Sequence, residues 1–559
     1  MYFEINITLI IFSMYLVMTG LIDKKENKIL KSLYEKVEII VKNKYKLIIF
    51  FLFILTLFTS IYKLGKVPYG IHIDEAGMAY DAISIANYHV DRYLNHFPIY
   101  LINYGGGQSA MYAYLTAILI KLFGYSIIIA RLPAVLFRLV MFVSILLIMK
   151  KQSKLKSIIF LFLFSICPYF IMQSRWGLDC NLLVGFLTIS VAVLINSIDK
   201  KSKMLFFISG ILFGLSLYTY ALSYMIIPTL LILTLLYLLA IKKIKISQLI
   251  LFSIPLAIIA VPLILMILVN NEIIEEIKGF ITIPKLPGYR GSEICLDNIL
   301  NSSYIITNLF SYDNPFPFGT SLIYNSHPYF GTIYYMAIPF FVVGFLQCLK
   351  DFKKSVRYKE FDINIIFVFW FFSVLICQLL IKLPNINRAN AIFIPILYFI
   401  TIGIVYVAKN LKSIILPIVL LFIINFTLFF NFYYYHYDTS IDNLWLFATD
   451  YLDAVNYAKG LNKKDIYIQN DICASEYMYI LLENEISPYD YKTDDITVNY
   501  GNSELTYHFH VPSQIDIDSI YIIKNEDIMV EQFREAGFNE KVFDNISVFI
   551  HWFFSILLV

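Results

Sequence analysis

The chain predicts a polytopic α-helical membrane protein carrying a small α/β domain at its carboxyl end. Three observations lead there. Of the 559 residues 59% are hydrophobic and 15% charged, with a mean hydropathy of +0.70, well beyond what a soluble domain carries. Apolar runs of roughly 17 to 22 residues, enough to cross a core about 30 Å thick at 1.5 Å per residue, recur along most of the chain. From about residue 438 the character changes, and the tail holds roughly half of all the Asp and Glu.

In order, about twelve spans are expected by this length criterion. They lie near 5–22, 47–64, 127–148, 157–173, 181–198, 204–221, 224–240, 249–269, 331–348, 363–381, 391–408 and 413–433. Short cytoplasmic loops retain Lys and Arg. The loop 23–46 carries Lys24, Lys25, Lys28, Lys31, Lys36, Lys42, Lys44 and Lys46 and is expected inside. Lysines recur at 150–156, 200–203, 242–245, 350–359 and 409–412, the alternate connections. The loops 65–126, 174–180, 270–330 and 382–390 and the tail are then expected outside. Glu4 ahead of the first run, with no basic leader, argues against a cleavable signal peptide. Cys167, Cys180, Cys295, Cys348, Cys377 and Cys473 show no paired spacing, so neither a zinc site nor a disulfide framework is suggested. A net charge of +3, explained by topology, implies no nucleic-acid partner.

The tail reads as a soluble α/β domain. A helix is expected from about Leu444 to Lys459, strands at Asp465–Gln469 and Ser519–Ile523, and a second helix at Glu531–Gly537 closed by its glycine. The apolar end, Phe549–Val559, is too short to span and fits an interfacial anchor or a segment that packs back. The expected divisions are 1–46, an extra amino-terminal span and basic loop; 47–437, a transmembrane catalytic module; and 438–559, the outer domain.

Chemistry is sought on the outer face. His72-Ile73-Asp74-Glu75-Ala76 sets two carboxylates just after a span. Met78, Ala79, Ala82, Ile83 and Ala86 then recur at helical spacing, predicting an amphipathic helix lying on the membrane with Asp74 at its start. Asp74 can cap that helix, and an ionised acid there also suits a general base. Asp179 follows Arg175 by four residues, which on a helix gives either an ion pair or a second acid beside a cation. Arg131, Arg290 and Arg388 are outer cations whose fork of donors suits phosphate oxygens, although interfacial arginines also anchor to headgroups. Arg388 stands between two amides in Asn385-Ile386-Asn387-Arg388-Ala389-Asn390. His327 beside Pro328 is a candidate for metal or phosphate, or a structural residue of a Tyr-rich loop.

These segments together resemble the GT-C superfamily of membrane glycosyltransferases, and within it glycosyltransferase family 39, which includes protein O-mannosyltransferases and aminoarabinose transferases of lipid A. The resemblance rests on the HIDEA acids, on Leu122-Phe123-Gly124 with Ala130-Arg131-Leu132-Pro133, and on Ser174-Arg175-Trp176-Gly177-Leu178-Asp179. Tyr218-Thr219-Tyr220, the 325–331 segment and the NINRAN turn extend it over roughly 47–408. It implies a GT-C-like fold and transfer of a sugar from a polyprenyl-phosphate donor to an acceptor hydroxyl outside the membrane. Asp74 would be the base or orient the acceptor, with Glu75 and Asp179 shaping the site or holding a divalent cation. Arg131, Arg175, Tyr220, Arg290, His327, Arg388 and Asn390 would bind substrate. A bacterial plasma membrane, a lipid-linked sugar and a glycan, lipid or protein acceptor are implied with it. One departure counts against a lipid A acceptor: Gly105-Gly106-Gly107-Gln108-Ser109 stands where the aminoarabinose transferases carry a Glu-Lys pair before a Pro-Pro turn.

Two patterns mislead. Gly105 to Ala110 fits a dinucleotide glycine pattern but lies outside any βαβ unit, and Asp516-Ile517-Asp518 fits solvated acids beside a strand better than a metal site. The rival readings are a lipid-linked glycan flippase or transporter and a polysaccharide polymerase or ligase. A transporter would place its ionisable groups at mid-membrane in repeated halves. The residues leave the sugar, acceptor, metal requirement and oligomeric state open.

Overall fold

The computed structural model describes residues 2–22, 28–301, 325, 329–382, 384–437, 447–461, 463–501 and 503–551. In chain order the helices begin with α1 (Tyr2–Ile22), α2 (Lys28–Asn43), α3 (Tyr45–Ile61) and α4 (Ile73–Tyr88). A hairpin of β1 (Tyr100–Asn103) and β2 (Gly106–Ser109) precedes α5 (Met111–Phe123) and α6 (Ile127–Ile148). Then come α7 (Lys154–Ile166), α8 (Pro168–Gln173), α9 (Cys180–Lys200), α10 (Lys203–Ser216), α11 (Ser223–Ala240) and α12 (Ile246–Asn270). After a long irregular stretch follow α13 (Ile338–Tyr358), α14 (Ile363–Leu380), α15 (Phe393–Val407) and α16 (Ile415–Tyr435). The tail contributes α17 (Thr449–Lys459), β3 (Asp465–Ile468), α18 (Glu476–Glu483), β4 (Asp495–Tyr500), β5 (Ser503–His508), β6 (Ile520–Lys524), α19 (Met529–Glu535), β7 (Asn539–Phe543) and β8 (Ile546–Ile550).

Among the described residues nine helices are long and apolar enough to cross a membrane, or ten if α2 and α3, bent by 87°, count as one span. Three of the expected spans depart from a straight crossing. The run 157–173 divides into α7 and α8 because Pro168 forces Cys167 into an extended conformation (ψ 125°) and starts a new helix at its own position. The run 204–221 yields α10 of 14 residues, about 21 Å at 1.5 Å per residue and short of a core about 30 Å thick. The run 47–64 yields α3 of 17 residues, joined to α2 by the sharp bend.

Packing groups the chain into two compact units. The first comprises Met1–Leu64, Pro98–Tyr112 and Arg131–Tyr435, and holds most of the apolar helices. Small residues let its helices touch along their backbones. A Cβ placed on Gly344 of α13 would stand 1.8 Å from the Phe399 carbonyl of α15, and one on Gly403 1.9 Å from the Phe340 carbonyl, so the two helices pack main chain to main chain. A polar cluster is buried in this unit. Arg138 of α6 donates to Thr59 Oγ1 (3.0 Å), Ser60 Oγ (2.9 Å) and the Ser165 carbonyl (2.9 Å), tying α3, α6 and α7 together.

The second unit comprises Gly65–Phe97, Ala113–Ala130 and His436–Val559. Segments 65–97 and 113–130, expected within the catalytic module, thus pack with the tail. Its sheet has the strand order β4-β5-β3-β6-β8-β7, with β3 parallel to β5 and β6 and the remaining neighbours antiparallel. Tyr521, Phe533, Phe538 and Phe549 form the core under α19. The expected tail helix is described from Thr449, its earlier turns and residues 438–446 lying outside the described residues. Phe549 and Ile550 belong to the buried strand β8 rather than to an interfacial anchor, and 552–559 lie outside the described residues. Asp516 accepts from Asp518 N (3.0 Å) and Ser519 Oγ (2.8 Å), a local turn, as expected of solvated acids.

Helix α4 forms where expected, but it does not lie on a membrane with one face exposed. Every residue from Glu75 to Ala86 is buried. Its polar side is accommodated because Asp81 receives Arg92 in a bidentate pair, Nε to Oδ1 at 3.0 Å and Nη2 to Oδ2 at 2.7 Å, with both side chains buried. The helix packs against α18 of the same unit.

Candidate active site

The loop Ser174–Asp179 delivers the central carboxylate. It is a non-helical link between α8 and α9, so Arg175 and Asp179 do not share a helical face as the four-residue spacing suggests. Arg175 instead donates to the carbonyls of Thr59 (3.1 Å) and Ser60 (2.9 Å) and lies 4.8 Å from the Tyr434 ring centre, fully buried. Asp179 caps α9: Oδ1 accepts from Cys180 N at 2.7 Å, and Oδ2 accepts from Ser109 N at 3.1 Å, the last residue of β2. A capping carboxylate at a helix start is held by backbone dipoles. The glycines 105–107 serve this hairpin, not a nucleotide. Tyr104 and Gly105 take φ of 43° and 76° in the turn, and a Cβ on Gly107 would strike the Tyr100 ring at 2.4 Å.

Arg388 sits in the turn before α15. Its Nη1 donates to Glu293 Oε2 (3.2 Å) and to the Lys382 carbonyl (2.5 Å). Its Nε and Nη2 have no acceptor among the described residues. Neighbours hold the turn: Gln378 Nε2 donates to the Arg388 carbonyl (2.8 Å), and Trp176 Nε1 donates to Asn325 Oδ1 (2.9 Å), whose amide donates to Asn387 Oδ1 (2.5 Å). Asn390 Nδ2 donates to the Cys180 carbonyl (2.6 Å), locking the turn to the start of α9 beside Asp179.

Within the first unit one cavity of about 180 Å³ unites Asp179, Tyr220, Glu293 and Arg388, with Tyr100, Tyr224 and Tyr289 around them and Leu222, Met225 and Met266 supplying apolar surface. The Tyr220 phenol lines it as a neutral hydroxyl donor. The Tyr224 hydroxyl is buried without a hydrogen-bond partner among the described residues.

Of the residues singled out in the sequence, Asp179, Tyr220 and Arg388 line this cavity together. Asn390 acts one turn away through the Cys180 carbonyl, and Arg175 and the fully buried Arg131 do not line it. Asp74 and Glu75 belong to the second unit, in the first turn of α4. The cap of that helix is His72, whose Nδ1 accepts from Asp74 N at 3.2 Å, rather than Asp74 itself. Glu75 is buried and Asp74 partly exposed. Arg290 opens the 3₁₀ turn Arg290–Glu293, and His327 lies outside the described residues. Sequence reading missed Glu293, Tyr100 and Tyr224, which carry no local pattern. It also missed Arg138, for which a signal existed: a second arginine seven residues after Arg131, on the same face of an otherwise apolar run. Among the described residues no group of three or more His, Cys, Asp or Glu is placed to hold a metal ion.

No family model matches the sequence, and no curated protein matches it. Solved structures do match in fold. ArnT from Cupriavidus metallidurans in the apo state superposes with a TM-score of 0.50 at 10% identity, over 91% of this chain and 98% of that one. The same protein bound to undecaprenyl phosphate gives 0.49 at 10% identity, over 89% and 97%. The Archaeoglobus fulgidus oligosaccharyltransferase tethered with an acceptor peptide gives 0.49 at 12% identity, over 79% of this chain and 63% of that one. The chain therefore has the fold of ArnT, the GT-C-like fold expected from its motifs.

Proposed function

We propose that the chain transfers one sugar from a polyprenyl-phosphate-linked donor to an acceptor hydroxyl on the outer face of a bacterial plasma membrane. The observation that carries this is Arg388. A guanidinium with two donors still uncommitted shares a small aromatic chamber with a fixed carboxylate. As the bond from the sugar C1 to the phosphate oxygen breaks, charge accumulates on the phosphate, and a preorganised fork of N–H donors stabilises it. Aromatic faces and the Tyr224 hydroxyl suit a sugar ring. A volume of about 180 Å³ is below the ~300–1,000 Å³ of typical ligand pockets and favours one sugar over a long glycan.

Asp179, a carboxylate facing the chamber, orients sugar hydroxyls as an acceptor. The acceptor proton passes to Asp74, a role that rests on the family resemblance. No step is routed through a metal.

The test uses purified protein, a labelled polyprenyl-phosphate sugar and an acceptor hydroxyl. Arg388→Ala should lower transfer about 100-fold or more, the usual size for a lost oxyanion donor, with Arg388→Lys intermediate. Unchanged transfer by Arg388→Ala would remove the phosphate role and the reading with it.

A further inference from the structure

A second cavity of the first unit lies apart from the chamber around Arg388. It has a volume of about 670 Å³ and lies where α2 packs against the start of α7, the end of α15 and the start of α16. Asn390 precedes α15, whereas Tyr406 and Lys409 of the cavity stand at its far end. The 15 residues between make about 22 Å at 1.5 Å per residue, so the two cavities occupy opposite ends of the same bundle.

Its walls are of two kinds. Val37, Val41, Ile402, Val405, Ile415 and Leu416 form an apolar trough. Lys42, Lys154, Lys156, Lys409 and Lys412 stand around it, against only Glu38 and Asp351. Both carboxylates are already engaged, Glu38 by Lys42 at 3.2 Å and Asp351 by the amides of Gln347 (3.0 Å) and Asn364 (2.8 Å). Lys156, Lys409 and Lys412 have no ion-pair partner among the described residues. Lysines that only mark topology would spread around the helix ends; these converge on one apolar trough.

Helix α2 fixes the depth of the cavity. It turns 87° from α3 and therefore runs across the direction of a span. Its Ile29, Leu33 and Ile40 form an exposed apolar stripe at i, i+4 and i+11, while Lys28, Lys31, Glu35 and Lys42 face the other way. Such a helix lies at the boundary of headgroups and acyl chains. A cavity beneath it, apolar on one side and cationic on the other, matches a molecule with an acyl chain joined to an anion.

We propose that this cavity is a binding site for one anionic phospholipid of the bilayer. The phosphate sits among Lys156, Lys409 and Lys412, and an acyl chain lies along Val41, Val405 and Leu416. Charge complementarity chooses the occupant: the ammonium head of a zwitterionic lipid is repelled by the three lysines that draw its phosphate, and a soluble anion leaves the trough empty.

The full chain is placed in nanodiscs of phosphatidylcholine containing a fixed fraction of phosphatidylglycerol, and lipids retained after extraction are counted by native mass spectrometry. Wild type is expected to retain one phosphatidylglycerol in preference to phosphatidylcholine. The triple variant K156Q/K409Q/K412Q should weaken that retention about 100-fold, roughly fivefold for each charge removed near the surface. The matching Lys→Arg triple should keep it, and Val41→Trp should abolish it with every charge in place. Helical content and melting temperature establish that each variant is folded, and the three single Lys→Gln changes replace the triple if it is not. Equal retention of both lipids by wild type, wild-type retention by the folded Lys→Gln variants, or full displacement by millimolar inorganic phosphate would each overturn the proposal.

Discussion

At the scale of single residues, motif chemistry and geometry meet in Arg388, Asp179 and Tyr220. All three were legible because each is polar or aromatic at the edge of an apolar run, where a side chain must be either an anchor or part of a site. Their companions were not legible: Glu293 meets Arg388 only through the fold of the stretch after α12, and no local spacing announces that. The reading of Arg175 failed for a related reason. A four-residue spacing has meaning only on a helix, and the link carrying Gly177 is not one. Asp74 is the residue whose role rests most on sequence. Asp74→Asn should lower transfer at least about 100-fold through lost proton abstraction, with donor binding by the variant left near wild type. Transfer at the wild-type rate would take the base out of the mechanism while leaving Arg388 untouched.

Among elements, hydropathy located the helices well and their straightness poorly. It registers apolar residues, not the extended conformation that Pro168 imposes on Cys167, nor the bend after Asn43. The face of α4 was misread because Asp81 and Ser84 look solvent-seeking until Arg92 neutralises the acid inside the fold. Tight pairing of α13 with α15 was equally hidden, since it depends on two glycines 59 positions apart meeting backbone to backbone. Gly344→Val should destabilise the first unit by about 1–3 kcal/mol, the usual cost of overpacking, seen as a lower melting temperature in detergent. A variant that melts with wild type would show that the helices do not meet there.

For the whole molecule, the broad architecture was readable from composition, and the grouping of the first loop with the tail was not, because it is made by contacts hundreds of residues apart. One consequence can be measured in the second unit. Burial raises the pKa of Asp91 from 3.8 to about 6, Asp81 nearby adds to it, and hydrogen bonds from Asn95 and Tyr93 oppose it. The folded state therefore binds this proton more tightly than the unfolded one. The Asp91 contribution to stability is most favourable below about pH 4 and declines as pH rises through about 6, above which the ionised acid carries a penalty of up to a few kcal/mol. Asp91→Asn should be more stable than wild type above pH 6, with the difference shrinking to nothing near pH 4 in parallel unfolding titrations. A difference independent of pH would mean that Asp91 does not titrate in this window.

The pairing of Arg388 with Glu293 has a last implication for turnover. The chamber at rest is no vacant electropositive hole awaiting an anion, since its guanidinium already has a carboxylate companion. In the proposed reaction the lipid phosphate meets Nε and Nη2 while Nη1 keeps Glu293, so two anions share one cation and donor affinity reflects the pull of the guanidinium less the repulsion of the carboxylate. On the same proposal, the carboxylate that stays on the cation repels the phosphate left behind once the sugar has gone and so favours release of the spent carrier.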